Sequence, residues 1–159
     1  MAITQGMNAL DPRQLPLLRA KVAVGAALLL LAAAAADRLL LRGSGVPFGA
    51  LTGAAALLGL AAILLLPGRR YRAWGYRMEE DELHLAHGVL VRVASVVPFG
   101  RVQHIDVVQG PLQRAFGLGS LVLHTAGTRS AAMLLPGLAS EEAERMRDHI
   151  RGKIREDIG

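Results

Sequence analysis

Hydrophobic and polar positions fall into two regimes along this chain. Up to residue 68 apolar side chains run in long blocks; from residue 70 they alternate with polar ones or recur at helical spacing. The longest block, Gly43 to Gly68, is 26 residues without one ionisable side chain. About 20 such residues, at 1.5 Å rise, cross a ~30 Å hydrocarbon core, so residues 46–67 are expected to form a membrane-spanning helix. An earlier block, Val22 to Ala36, holds only 15 uncharged residues. Extended to residues 17–41, it spans as well, with Arg19 and Lys21 snorkelling at one end and Asp37 and Arg38 near the other. The competing reading is a signal peptide cleaved at Ala36. That reading needs an n-region of 21 residues and strands Leu39, Leu40 and Leu41.

Residues 1–16 read as a loose tail, with Pro12 against an early helix and Pro16 where a first helical turn could begin. Arg42-Gly-Ser-Gly45 is a tight turn, so the two spans should form an antiparallel hairpin over residues 17–68. Gly49 and Gly53 make a GxxxG pair that Ala55 and Gly59 extend. The pair is a candidate for close helix packing, or a chance product of a chain rich in small residues.

From residue 69 to 159 the pattern is that of one small water-facing domain. A first strand is expected over residues 71–78, where Tyr71, Ala73, Gly75 and Arg77 alternate with Arg72, Trp74, Tyr76 and Met78, and Glu79-Glu80-Asp81 turns the chain. Leu83 and Leu85 alternate with Glu82 and His84. His87-Gly88 turns again, into a strand expected over Val89–Val97. After Pro98-Phe99-Gly100, Arg101 to Gln109 runs extended, with Ile105 and Val107 on one face and His104 and Asp106 on the other. Gly110-Pro111 opens one helical turn, in which Leu112 and Phe116 should pack down and Gly117 or Gly119 should stop the helix. Ser120–His124 and Ala131–Leu135 are two further strands around a turn at Thr125–Ser130. Last comes an amphipathic helix with Ser140 as N-cap, and Ala143, Met146, Ile150 and Ile154 in one stripe. The fold class is therefore α+β: a transmembrane two-helix hairpin, then a small antiparallel sandwich or barrel closed by the C-terminal helix.

Charge sharpens the topology. Residues 69–159 carry 13 Lys/Arg against 11 Asp/Glu, close to balance, so the formal excess of +5 gathers near the apolar spans. That placement is a membrane signal and not a nucleic-acid surface. Arg13, Arg19 and Lys21 precede the first span, and Arg69, Arg70, Arg72 and Arg77 follow the second. Both termini should face the cytoplasm.

Catalytic and cofactor chemistry finds little support. With no cysteine, thiolate nucleophiles, Cys-ligated metals and disulfides are excluded. No GxxxxGK[ST] exists, and Ser120 in Gly-Leu-Gly-Ser-Leu lacks the second glycine of a nucleophile elbow. His84 and His87 fall on opposite strand faces with no evident carboxylate set converging on them, while His104 and Asp106 share a face as a possible hydrogen-bonded pair. No enzyme, metal or cofactor is expected. Arg101, Gln109, Gln113 and Arg114 are candidate contacts to a partner protein; Arg69, Arg70 and Arg72 are candidate contacts to lipid headgroups.

Val97-Pro98, Arg101-Val-Gln-His104, the run Gln109 to Leu118 and Leu121-Val-Leu-His-Thr-Ala-Gly127, behind two membrane spans, resemble the YdbS-like family of bacterial membrane proteins. The resemblance implies a pleckstrin-homology-like domain and assembly with a related, larger membrane protein or with itself. The first hairpin departs from phosphoinositide-binding relatives: Glu79-Glu80-Asp81-Glu82 would repel a phosphorylated headgroup. A non-catalytic membrane-anchored interaction module is the leading expectation, and an anionic-lipid sensor the alternative.

Overall fold

The computed structural model describes residues 6–39, 47–126 and 132–156. The chain divides into two compact units, Leu15–Arg69 and the combination of Met1–Gln14 with Arg70–Gly159.

The first unit consists of two helices, α1 (Gln14–Leu39) and α2 (Ala50–Arg72), both long and apolar enough to cross a membrane. The Arg42-Gly-Ser-Gly45 turn lies outside the described residues. Helix α2 does not stop near Pro67-Gly68 but runs on to Arg72. Membrane helices absorb such a proline through local backbone adjustment. The extra turn also carries Tyr71 to where its hydroxyl donates to the Leu10 carbonyl at 2.8 Å.

In the second unit two three-stranded antiparallel sheets form, in the orders β1-β2-β3 and β4-β5-β6. The strands are β1 Gly75–Met78, β2 Glu82–His87, β3 Val93–Pro98, β4 Val102–Val108, β5 Leu118–Thr125 and β6 Ala132–Ala139. Among the described residues the two sheets do not close into a barrel. The expected alternation holds: Leu83, Leu85, Leu121 and Leu123 are buried, and Ile105 and Val107 pack against the same core. Between Gly119↔Leu138 and Leu121↔Leu135 the register shifts, leaving Pro136 and Gly137 opposite Ser120. Gly137 takes φ +71° at this bulge, where a side chain would be strained. Helix α4 (Ser140–Glu156) covers the second sheet with the predicted stripe: Ala143, Met146 and Ile150 are buried and Ile154 partly so.

Three expectations change. Residues 8–11 are not part of a loose tail. Asn8 exchanges backbone hydrogen bonds with Tyr76, Asp11 N–H donates to the Gly137 carbonyl at 2.8 Å, and Leu10 enters the core. Polar composition concealed one buried leucine and a segment able to extend the edge of β1. Residues 71–74 are the end of α2 and a connector, so the first strand starts at Gly75. Residues 89–92 form a loop, and β3 starts only at Val93. Gly88 decides this, since its φ of +116° turns the chain out of the strand.

Candidate functional site

A short helix, α3 (Pro111–Ala115), projects from the second sheet between β4 and β5. Proline begins it and Gly117, at φ +65°, ends it, as the spacing predicted. It is not held by an apolar pair, however. Leu112 stays 40% exposed and Phe116 only half-buried. Two glutamines do the fastening. Gln109 Nε2 donates to Ser140 Oγ at 2.6 Å and to the Leu118 carbonyl at 3.2 Å. Gln113 accepts from Gly110 N–H at 3.0 Å and donates to the buried Ser120 hydroxyl at 2.7 Å.

Gln109 and Gln113 therefore belong to the scaffold, and Ser140 serves as a tertiary acceptor beyond its place at the start of α4. Arg114 is exposed, with Leu112 on the same short helix. Arg101 is also exposed, but it precedes β4 while α3 follows it. Seven strand residues separate them, roughly 23 Å at ~3.3 Å each. The structure does not bring the four candidate partner residues into one patch.

Edge strand β3 offers a different surface. Its sequence, VASVVP, holds no ionisable residue, and among the described residues it pairs only with β2. Ala94, Val96 and Pro98 are exposed on its outer face while Val97 enters the core. Edge strands of soluble domains normally carry charges or other blocks against pairing. This one carries no charge, and its one proline, Pro98, comes only at its last position.

Histidines and carboxylates gather at two places on the sheets. On β4, His104 Nε2 lies 2.9 Å from Asp106, and His124 Nε2 of β5 reaches the other carboxylate oxygen at 3.2 Å. The sequence suggested the His104–Asp106 pair; His124 joins because the register sets it directly opposite His104. On the first sheet Glu79 and Glu82 do converge on His84, correcting the sequence reading, with His84 Nε2 2.6 Å from Glu82. Arg77 already holds Glu79 at 2.7 Å, so this group is an ion-pair cluster around the hairpin. His87, on the other face, stacks on Trp74 with ring centroids 4.6 Å apart.

Arg69, Arg70 and Arg72 lie exposed on the last turn of α2. Within the helical unit, Gly59 and not the GxxxG pair makes the close approach: a Cβ built there would stand 3.0 Å from Ala26 Cβ. Gly49 precedes α2 with φ +85°, Gly53 is exposed, and neither meets anything within 4 Å. Gly53 and Gly59 lie on different sides of the helix because their offset of six residues is not a whole number of turns.

In chain order, two apolar helices are followed by two three-stranded sheets and one covering helix. The bacterial PH domain family model matches residues 19–154. The chain belongs to the bacterial PH domain family. UPF0699 transmembrane protein YdbS of Bacillus subtilis (strain 168) is 37% identical over 99 residues, covering 62% of this chain and 60% of that protein. UPF0699 transmembrane protein YdbT of the same organism is 29% identical over 104 residues, covering 65% of this chain but 20% of YdbT. The chain thus spans less than two thirds of the length of either relative. No solved structure matches it. With these relatives and its two apolar helices, this bacterial PH domain chain is a membrane protein.

Proposed function

We propose that this chain is a non-catalytic, membrane-anchored interaction subunit that docks onto a related, longer PH-domain membrane protein. The observation that carries this reading is the uncharged edge of β3, which no other strand pairs among the described residues. An incoming strand would satisfy the free N–H and C=O groups of that edge, and Ala94, Val96 and Pro98 would supply apolar contact. The similarity of the chain to both a shorter and a longer relative of one organism supports a partner of the same family. Arg114 and Leu112 on α3, and Arg101 at the far end of β4, are then rim contacts.

In this reading residues 17–68 form a hairpin in the inner membrane and residues 69–159 a cytoplasmic domain, oriented by the basic residues at both cytoplasmic flanks. The exposed cluster of Arg69, Arg70 and Arg72 favours a second reading, an anionic-lipid sensor, in which each basic residue contributes about 1 kcal/mol near an anionic leaflet.

The test is a tagged pull-down from native membranes in mild detergent, with co-purifying proteins and lipids both identified by mass spectrometry. A stoichiometric second PH-domain membrane protein, lost when Val96 is changed to Lys, supports docking. Capture of anionic lipid with no second polypeptide overturns docking in favour of the sensor.

A further inference from the structure

The loop between β2 and β3, Gly88-Val-Leu-Val-Arg92, holds three apolar side chains out in water. Leu90 is 96% exposed and Val91 76%. This loop has a defined shape. At Gly88 a Cβ would meet the Val91 carbonyl oxygen at 1.8 Å, so only glycine permits the tight turn that lifts Leu90 to its apex.

Where the loop sits narrows what covers it. Register pairs Gly75 with Ala86, so the connector Ala73-Trp74 and the loop lie at the same end of the first sheet. The Trp74–His87 stack joins the connector to the base of the loop. Gly75 is three residues from Arg72, the end of α2; at ~3.8 Å per step this keeps that end of the sheet within about 11 Å of the helix end.

Charge is divided between the two ends of the sheet. The loop contains Arg92 and no carboxylate, and Arg69, Arg70 and Arg72 lie on the nearby helix end. Glu79, Glu80, Asp81 and Glu82 occupy the opposite end, across the six residues of β2. An anionic membrane surface matches the first end and repels the second.

We propose that residues 88–92 dip into the membrane interface, Val89, Leu90 and Val91 entering the headgroup–acyl boundary and Arg92 staying at phosphate level. The domain then has two attachments to the same leaflet, a covalent one through α2 and a reversible apolar one through the loop. Two attachments restrict the tilt of the domain, which a single flexible connector would not do.

The chain lacks cysteine, so Leu90→Cys and Val91→Cys each accept one environment-sensitive fluorophore; Glu80→Cys, at the far end of the sheet, is the control. Each labelled protein is reconstituted in vesicles of phosphatidylethanolamine and phosphatidylglycerol, with and without brominated acyl chains. Brominated lipid should quench the probes at 90 and 91 several-fold more than the probe at 80, and aqueous iodide should do the reverse. Equal iodide quenching at all three sites overturns the proposal. Shielding of the loop probes from both quenchers also overturns it, because it assigns the loop to a protein contact. Melting temperatures should match the unsubstituted chain, since Leu90 and Val91 leave no core packing when replaced.

Discussion

The Asp37 carboxylate near the end of α1 accepts hydrogen bonds from both the backbone N–H and the hydroxyl of Thr52, at 2.9 and 2.5 Å, in the first turn of α2. Leu51 N–H donates to the other carboxylate oxygen at 3.3 Å. Asp37 is only 2% exposed. A carboxylate on one helix thus caps the next, satisfying amide groups that otherwise lack intrahelical partners and facing the positive end of the helix dipole. The charge in an apolar hairpin is retained because it has these donors.

Removing the Thr52 hydroxyl in Thr52→Val should cost about 1 kcal/mol of hairpin stability. Asp37→Ala should cost more, since it deprives two backbone donors as well. The double variant should lose little beyond Asp37→Ala, because both substitutions break the same network. Thermal unfolding of the full chain in detergent, followed by far-UV circular dichroism, measures all three.

Helix packing in the hairpin should respond to Gly59 and ignore Gly53. Gly59→Ile forces side-chain atoms into Ala26, and overpacking of this kind costs about 1–3 kcal/mol. Gly53→Ile meets open space and should leave the monomer's melting temperature unchanged. If Gly53→Ile instead weakens an oligomer in detergent, the GxxxG face serves contacts between chains.

The α3 glutamines and the neighbouring arginine should separate cleanly. Gln113→Leu leaves the Gly110 N–H and the buried Ser120 hydroxyl without their partner, a loss of about 1–3 kcal/mol. Arg114→Glu should leave the melting temperature unchanged and act only on partner capture. A stability loss in Arg114→Glu returns that residue to the scaffold.

Tyr76 should make the domain sensitive to alkali. Burial, and then the Glu142 carboxylate to which its hydroxyl donates at 2.8 Å, push its pKa well above the ordinary tyrosine value. A group raised on folding contributes stability that is fully present below the unfolded pKa, about 10. As pH rises past that value the unfolded chain ionises first, and stability falls until the folded pKa is passed. Melting temperature should therefore drop above about pH 10. Tyr76→Phe, less stable at neutral pH for want of the hydrogen bond, should show a shallower alkaline decline.

Much of this was legible in the sequence, and the limits follow from what periodicity reports. Alternation along a strand or a three-four spacing along a helix records which side chains leave water. That suffices to mark the two spans, the inward leucines of the sheets and the Ala143–Met146–Ile150 stripe. It does not record which polar groups meet. Gln109 and Gln113 resemble surface residues in one dimension, and only the return of the chain brings Ser140 and Ser120 to them. His124 reaches Asp106 through a register that no local pattern encodes. The Val89–Val91 run has the composition of a strand, and one glycine with positive φ makes it an exposed loop. Where an apolar pattern is periodic, burial was written in the chain itself; isolated apolar residues such as Leu10 and Leu112, and hydrogen-bond partners distant in sequence that must come within about 3 Å, were decided only by the tertiary structure.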